Sequence, residues 1–195
     1  MLTNISPKTV YVKQDRNTDA EDRDLVRRTR AGENRAFGFL VDRYQKPVYN
    51  VALRISHNPT DAEDIAQTVF MKAFRKLESF DDEQRFFSWL YRIAINESIN
   101  FSRRRRDHDE LEREPASQLD SPEDTVVQKD VEEQVGIALM YLKPEDRAIV
   151  CLKHFQGFSY QEIGYILDIP DKTVKSRLFT ARRRLKDVLQ RIGID

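Results

Sequence analysis

The chain has 195 residues, with 33 Lys/Arg balanced by 33 Asp/Glu and a single cysteine. At 34% charged and 39% apolar residues, it suits small helical domains with large surfaces rather than one deep core. Cys151 alone cannot build a disulfide framework, no apolar run reaches membrane-span length, and no signal-like apolar core opens the chain, so a cytoplasmic setting is expected.

Residues 1–22 are polar and non-periodic and read as a flexible N-terminal arm. A first helix is expected to begin near Asp22 or Asp24 and to stop at Ala31-Gly32. Phe37, Leu40, Val41, Tyr44, Val48, Val51 and Ile55 then recur at helical spacing along one long helix, which Pro47 should bend. Asn58-Pro59 punctuates the chain, and Thr60 with Glu63 reads as a capping box for a helix carrying Ile65, Val69, Phe70, Ala73, Phe74 and Leu77.

After a polar connection at 78–85 comes an unusually aromatic helix over residues 86–106. At about 100° per residue, Trp89, Arg92, Asn96, Asn100 and Arg103 share one sector, between two apolar faces. An aromatic, two amides and two arginines make a poor core and a good ligand for single-stranded nucleic acid, because rings stack on bases while Arg and Asn reach phosphates and base edges. Packing of Trp89 in a core is the competing expectation.

Residues 107–133 hold eleven Asp/Glu against two Lys/Arg, with two prolines, and read as a flexible acidic linker. Val127, Val131, Val135, Leu139 and Leu142 open a C-terminal domain, and Pro144-Glu145 starts a further helix through His154. Ser159 and Glu162 form a capping box, Ile163, Ile166 and Leu167 make the apolar stripe of a short helix, and Asp168-Ile169-Pro170 ends it. A second helix follows at once, with Val174, Leu178, Ala181, Leu185 and Val188 on one face. Residues 172–191 hold eight Lys/Arg and one acid. A solubilising face more often mixes signs, so this pair reads as a helix-turn-helix with a basic recognition helix, and Gly164 supplies the small residue at the helix crossing. The expected fold is therefore all-α: two small helical domains joined by an acidic linker.

Three segments resemble the extracytoplasmic-function (ECF) sigma factors of bacteria. DAEDIAQTVFMKAF (61–74) is similar to the polymerase-binding helix of sigma region two, FFSWLYRIAINESIN (86–100) to the promoter-melting helix, and SYQEIGYILDIPDKTVKSRL (159–178) to region four. The resemblance implies domains at 23–106 (region two) and 129–195 (region four), with a linker at 107–128 and core RNA polymerase, promoter DNA and an anti-sigma factor as partners. It implies that Asp61, Asp64, Gln67, Phe70 and Met71 dock on the polymerase, although Thr68 stands where relatives have Glu. It assigns Phe86, Trp89, Tyr91, Arg92, Asn96, Asn100 and Arg103 to the −10 element, with the 78–87 connection receiving an unstacked base. It assigns Lys172, Thr173, Lys175, Ser176, Arg177, Phe179, Arg182 and Arg183 to the −35 element, where Thr180 replaces a common Arg.

A stand-alone helix-turn-helix activator is the alternative, with residues 23–106 sensing a signal or dimerising. An enzyme is disfavoured, and no catalytic residue, metal or cofactor is expected. Glu63 and Asp64 point about 100° apart on their helix, and His57, His108 and His154 lie in separate segments. No Gly-rich phosphate loop or nucleophile elbow is present.

Overall fold

A computed structural model describes residues 16–112 and 131–191, and every regular element among them is helical. The N-terminal half comprises α1 (Arg16–Arg30), α2 (Asn34–Ser56), α3 (Pro59–Arg75), a short 3-10 turn (Leu77–Ser79) and α4 (Phe86–Glu112). The C-terminal half comprises α5 (Val131–Met140), α6 (Pro144–Val150), a π-helical turn (Cys151–Phe155), α7 (Tyr160–Leu167) and α8 (Asp171–Arg191). The acidic stretch from 113 to 130, and Val127 within it, lie outside the described residues.

Helix α1 begins six residues before Asp22, so the arm's last residues are helical. The reason lies in packing: Asp22 is buried against α2, where it accepts hydrogen bonds from the Tyr44 hydroxyl and from Arg43. Burial pushes the Asp22 carboxyl up, and these two donors pull against it without prevailing. The helix stops where expected, with Gly32 at φ +95°. Along α2, Phe37, Leu40, Tyr44, Val48, Val51 and Ile55 are all buried, and the helix runs through Pro47 without a break. Val41 lies at the edge of that face and is only half-buried.

The start of α3 differs from the expected capping box. Asn58 is the cap, accepting from the Asp61 N–H at 3.1 Å, and Pro59 takes the first helical position. Proline has no N–H to leave unsatisfied there, so the helix begins earlier and Thr60 falls inside its first turn. Helix α4 also runs six residues past Arg106 into the acidic stretch. The helix expected through His154 is α-helical only to Val150, after which the chain widens into the π turn, and Leu142 follows the end of α5. Within that turn Cys151 is fully buried, and burial pushes its thiol up to about 12, so it stays protonated and unreactive.

The two halves pack together: α4 lies against α6 and α7, and α2 against α5 and α6. The buried apolar residues form one cluster running from Leu25 through Ile99 to Val135 and Leu189. At its centre, Phe158 from the turn before α7 stacks on Phe87 and meets Tyr91 edge-on, both at 5.3 Å between ring centroids. The sequence offers no local signal for this contact. Phe158 immediately precedes the Ser159 cap, a position that commonly staples back onto its own helix; here it reaches the other domain.

Candidate polymerase and nucleic-acid interfaces

Three surfaces hold the residues singled out by the sequence. The first is an apolar groove of about 470 Å³ between α2 and α3, lined by Phe37, Val41, Ala66, Phe70, Met71 and Phe74 with Gln45 and Gln67 at its margin. Met71 and Phe74 are 48% and 44% exposed and lie together in this groove, a patch rather than scattered apolar side chains. Asp64 and Gln67 are exposed on the same helix, and Phe70 is half-buried. Asp61 stands apart, because it is half-buried and ion-paired with Arg105 of α4.

The second surface lies on α4. Trp89 is half-buried among Phe80 and Phe86, at 5.2 and 5.7 Å, leaving part of its ring at the surface. Asn96 and Asn100 are exposed on the same side of the helix. Phe86 and Tyr91 are buried, and the Tyr91 hydroxyl donates to the Pro47 carbonyl at 3.1 Å, so both fasten α4 to the bundle rather than facing a ligand.

Arginines of this surface meet carboxylates of the C-terminal domain. Arg85 pairs with Glu162 at 3.1 Å and with Asp19 of α1 at 2.9 Å. Arg92 pairs with Asp168 at 3.3 Å and lies 5.5 Å from the Tyr165 ring centre. Arg103 pairs with Glu145. Burial alone would raise the Glu145 carboxyl, yet its own backbone N–H and the Arg103 guanidinium outweigh that and hold it below the usual carboxylate range. Exposed ion pairs of this kind contribute about 0.2–1 kcal/mol each. The two aromatic contacts of Phe158 add about 0.5–1.5 kcal/mol each beyond their buried area, a sum comparable to that of the three ion pairs.

The third surface is the helix-turn-helix. Ser159 accepts from the Glu162 N–H at 3.2 Å while Glu162 accepts from the Ser159 N–H at 2.8 Å, the reciprocal cap expected from the sequence. Asp168 turns the chain in the left-handed region at φ 56°, which its short polar side chain tolerates. Helix α8 then buries Val174, Leu178, Ala181, Leu185 and Leu189, while Val188 is half-buried. Its other side exposes Lys172, Lys175, Ser176, Arg177, Phe179 and Arg183, with Phe179 at 69%. Thr173 is half-buried. Lys175 and Lys153 flank the Tyr160 ring at 5.7 and 4.9 Å, which orients Lys175 across the joint between α7 and α8.

Arg182 is half-buried and donates from Nε to His154 Nε2 at 2.9 Å, an arrangement that needs a neutral imidazole. Burial lowers the His154 value, and the Arg182 and Lys153 cations push it the same way. The unfolded chain therefore takes up a proton that the folded domain refuses, so this group makes stability fall as pH drops below about 6.5. Melting temperatures of the full chain between about pH 5 and 7.5 should show that slope, and His154→Gln should flatten it.

Comparison with known proteins finds matches to both halves of the chain. Residues 40–108 match the family profile of sigma-70 region 2, and residues 133–185 match sigma-70, region 4. The chain is 35% identical over 185 residues to the RNA polymerase sigma-H factor of Pseudomonas aeruginosa, covering 89% of this chain and 96% of that one. It is 34% identical over 181 residues to the ECF RNA polymerase sigma-E factor of Escherichia coli, covering 87% and 94%. Among solved structures, CnrH in complex with the cytosolic domain of CnrY superposes with a TM-score of 0.67 at 28% identity, over 87% of this chain and 97% of that one. The sigma factor RpoE of Bartonella quintana, in complex with the anti-sigma factor NepR, gives 0.61 at 26% identity, over 79% and 96%. With both sigma-70 regions in order and close relatives spanning nearly its whole length, the chain belongs to the ECF family of RNA polymerase sigma factors.

Proposed function

We propose that this sigma factor docks on core RNA polymerase through the α2–α3 groove, opens the −10 element with α4 and reads the −35 element with α8. The groove with its exposed Met71 and Phe74 carries the first assignment, because a soluble domain gains nothing by leaving such side chains in water unless a partner covers them. Asp64 and Gln67 at its rim supply polar contacts that set orientation.

On α4, Trp89, Asn96, Asn100 and the arginines Arg92 and Arg103 form the −10 contact set. Phe86 and Tyr91 hold the helix in place instead, since neither has surface to offer. Promoter melting then needs no ATP. Unstacking a base costs a few kcal/mol, and stacking on a ring with hydrogen bonds to amides offsets it. In the −35 major groove, Lys172, Lys175, Ser176 and Arg177 face base edges, Phe179 meets a thymine methyl, and Arg182 and Arg183 take phosphates. An anti-sigma protein is the natural antagonist, since the two solved relatives are each held by such a partner or a cytosolic domain.

Met71→Glu sets an unpaired charge in the groove and should weaken binding to core polymerase by about tenfold to a hundredfold, with folding unchanged by circular dichroism. Competition against the wild-type chain measures this. Undiminished affinity would remove the groove from the docking surface.

A further inference from the structure

Three consecutive arginines of α8 have three different surroundings. Arg183 is exposed, and Arg184 pairs with Asp146 of α6. Arg182 is half-buried and donates to a neutral ring, its Nε standing 2.9 Å from His154 Nε2 in the π turn. Among the described residues no carboxylate pairs with Arg182. Its neighbours one turn away along the helix are Leu178, Phe179, Leu185 and Lys186, so α8 offers it no acid either. A guanidinium held partly out of water without a counter-ion is unfavourable, and an arriving anion offsets that. Arg182 lies seven residues beyond Lys175 and three beyond Phe179, on the flank of the exposed face, where a DNA backbone passing the helix would bring a phosphate.

We propose that His154 is a positioning residue for −35 binding: its imidazole tethers Arg182 by Nε at the edge of α8 and leaves the terminal nitrogens for a backbone phosphate. This rests on the assignment of α8 to the −35 element. A loose arginine loses rotamer freedom when it takes a phosphate, whereas one tethered at Nε has already lost it. The tether also responds to protons. A protonated imidazole has no lone pair at Nε2, so it cannot accept from Arg182 and repels it instead. The charges that act on His154 are both cations, Arg182 from α8 and Lys153 beside it in the turn. Lys153 is itself turned to the Phe158 carbonyl at 3.1 Å and to the Tyr160 ring of α7. The charged side chains of α6 are turned elsewhere, Glu145 to Arg103, Asp146 to Arg184 and Arg147 to the ends of α2 and α5, and Arg54 of α2 lies over Phe155. Burial and both cations lower the His154 value, so the ring is neutral near neutral pH and takes its proton only below the usual histidine range. Affinity for the −35 element should then fall on acidification. Simple charging of histidines gives the reverse, since added positive charge tightens DNA binding.

The test measures, by fluorescence anisotropy over a range of salt concentrations, the affinity of the full chain for a duplex carrying the upstream element of a promoter that its holoenzyme transcribes. At about pH 7.5, His154→Ala and Arg182→Ala should each weaken binding about tenfold. Each should also reduce the salt slope by about one, the signature of one lost phosphate contact. The double variant should be little worse than either single one, because both remove the same contact. His154→Gln should keep most of the affinity, since its amide carbonyl accepts from Arg182 Nε and does not titrate. Between about pH 7.5 and 5 the wild-type chain should lose affinity while His154→Gln and Arg182→Ala do not, with circular dichroism confirming the fold at each pH.

Wild-type affinity that holds or rises on acidification overturns the proposal. So does a His154→Ala chain that keeps the full salt slope, or a double variant whose loss is the product of the single losses. Should an alanine variant fail to fold, the wild-type pH profile and His154→Gln decide between the same outcomes without a truncated side chain. The assignment of α8 is tested by the same duplex. A wild-type chain that binds it no better than a scrambled duplex, and that Arg177→Ala leaves unchanged, sinks the −35 assignment. Binding that needs Arg177 but ignores His154 sinks only the tether.

Discussion

Replacing Arg147 with alanine is expected to cost the chain about 3–5 kcal/mol, because several buried carbonyl oxygens lose a charged donor at about 1–3 kcal/mol each. Arg147 is 2% exposed, a large side chain buried in full. Its Nε donates to the Leu139 carbonyl at 2.9 Å, and one terminal nitrogen donates to Met140 and Leu142 at 3.2 and 3.1 Å. The other donates to Ile55 of α2. Leu139 and Met140 lie in the last turn of α5 and Ile55 in the last turn of α2, where carbonyls have no partner within their own helices. One cation thus satisfies the ends of two helices and answers the negative end of both dipoles.

Alanine would remove this donor from the Met140, Leu142 and Ile55 oxygens and leave Leu139 with only the Leu142 N–H at 3.0 Å. Urea unfolding followed by circular dichroism should show the C-terminal half melting first, at a markedly lower midpoint. Arg147→Lys should fall between alanine and wild type, because an ammonium keeps the charge but cannot span so many acceptors. An unchanged midpoint for alanine would mean that water replaces the guanidinium and that the site is far wetter than its burial implies.

Gly164→Val should separate α7 from α8 and erase −35 recognition. An added Cβ at this position would stand 2.8 Å from the Ile169 carbonyl oxygen and 2.9 Å from Asp171 Oδ1. The carboxylate could swing aside, but the carbonyl belongs to the turn itself, whose Ile169 N–H bonds back to the Gly164 carbonyl at 3.0 Å. Something in the backbone must move. Overpacking of this order costs about 1–3 kcal/mol. Alanine regains about 1 kcal/mol of helix propensity over glycine, so Gly164→Ala should be the milder change. Valine offers less of that return and adds two methyl groups to the clash. Duplex −35 binding should drop at least about tenfold for valine and less for alanine. Core-polymerase affinity should not change, since α2 and α3 lie elsewhere. Equal DNA affinity for all three proteins would show that the crossing can relax without moving the recognition helix.

What could be read in the sequence was whatever is encoded locally. The capping box at Ser159 and Glu162, the apolar spacing of α2 and the one-sided basic composition of α8 each depend on residues within a few turns of one another, and they appear in the structure as expected. Helix limits were less legible where two local signals compete. Thr60 with Glu63 has the form of a cap, but Asn58 followed by proline starts the helix sooner. The acids after Arg106 suggest a linker by composition, yet the helical run already begun at Phe86 continues through Glu112.

The joint between the halves left no trace in any window. Arg147 sits in a charged stretch and looks like a surface residue, and Phe158 looks like a staple for its own helix. Their partners, Ile55, Phe87 and Tyr91, are 67 to 92 residues away. Glu162 was legible only as a cap, and its second role toward Arg85 exists only once two domains meet. Phe86 and Tyr91 illustrate the opposite limit: an aromatic helix resembling a strand-capturing element does not reveal which of its rings are spent on packing.

The most direct measurement is run-off transcription by purified core polymerase, with and without this protein, on a library of genomic promoter fragments. The account predicts new transcripts only when both are present, starting at sites that share a −10 and a −35 element at a fixed separation, with Arg177→Ala altering preference at the upstream element. Core enzyme that fails to bind the protein, or that binds it and initiates nowhere it did not initiate before, would contradict the account.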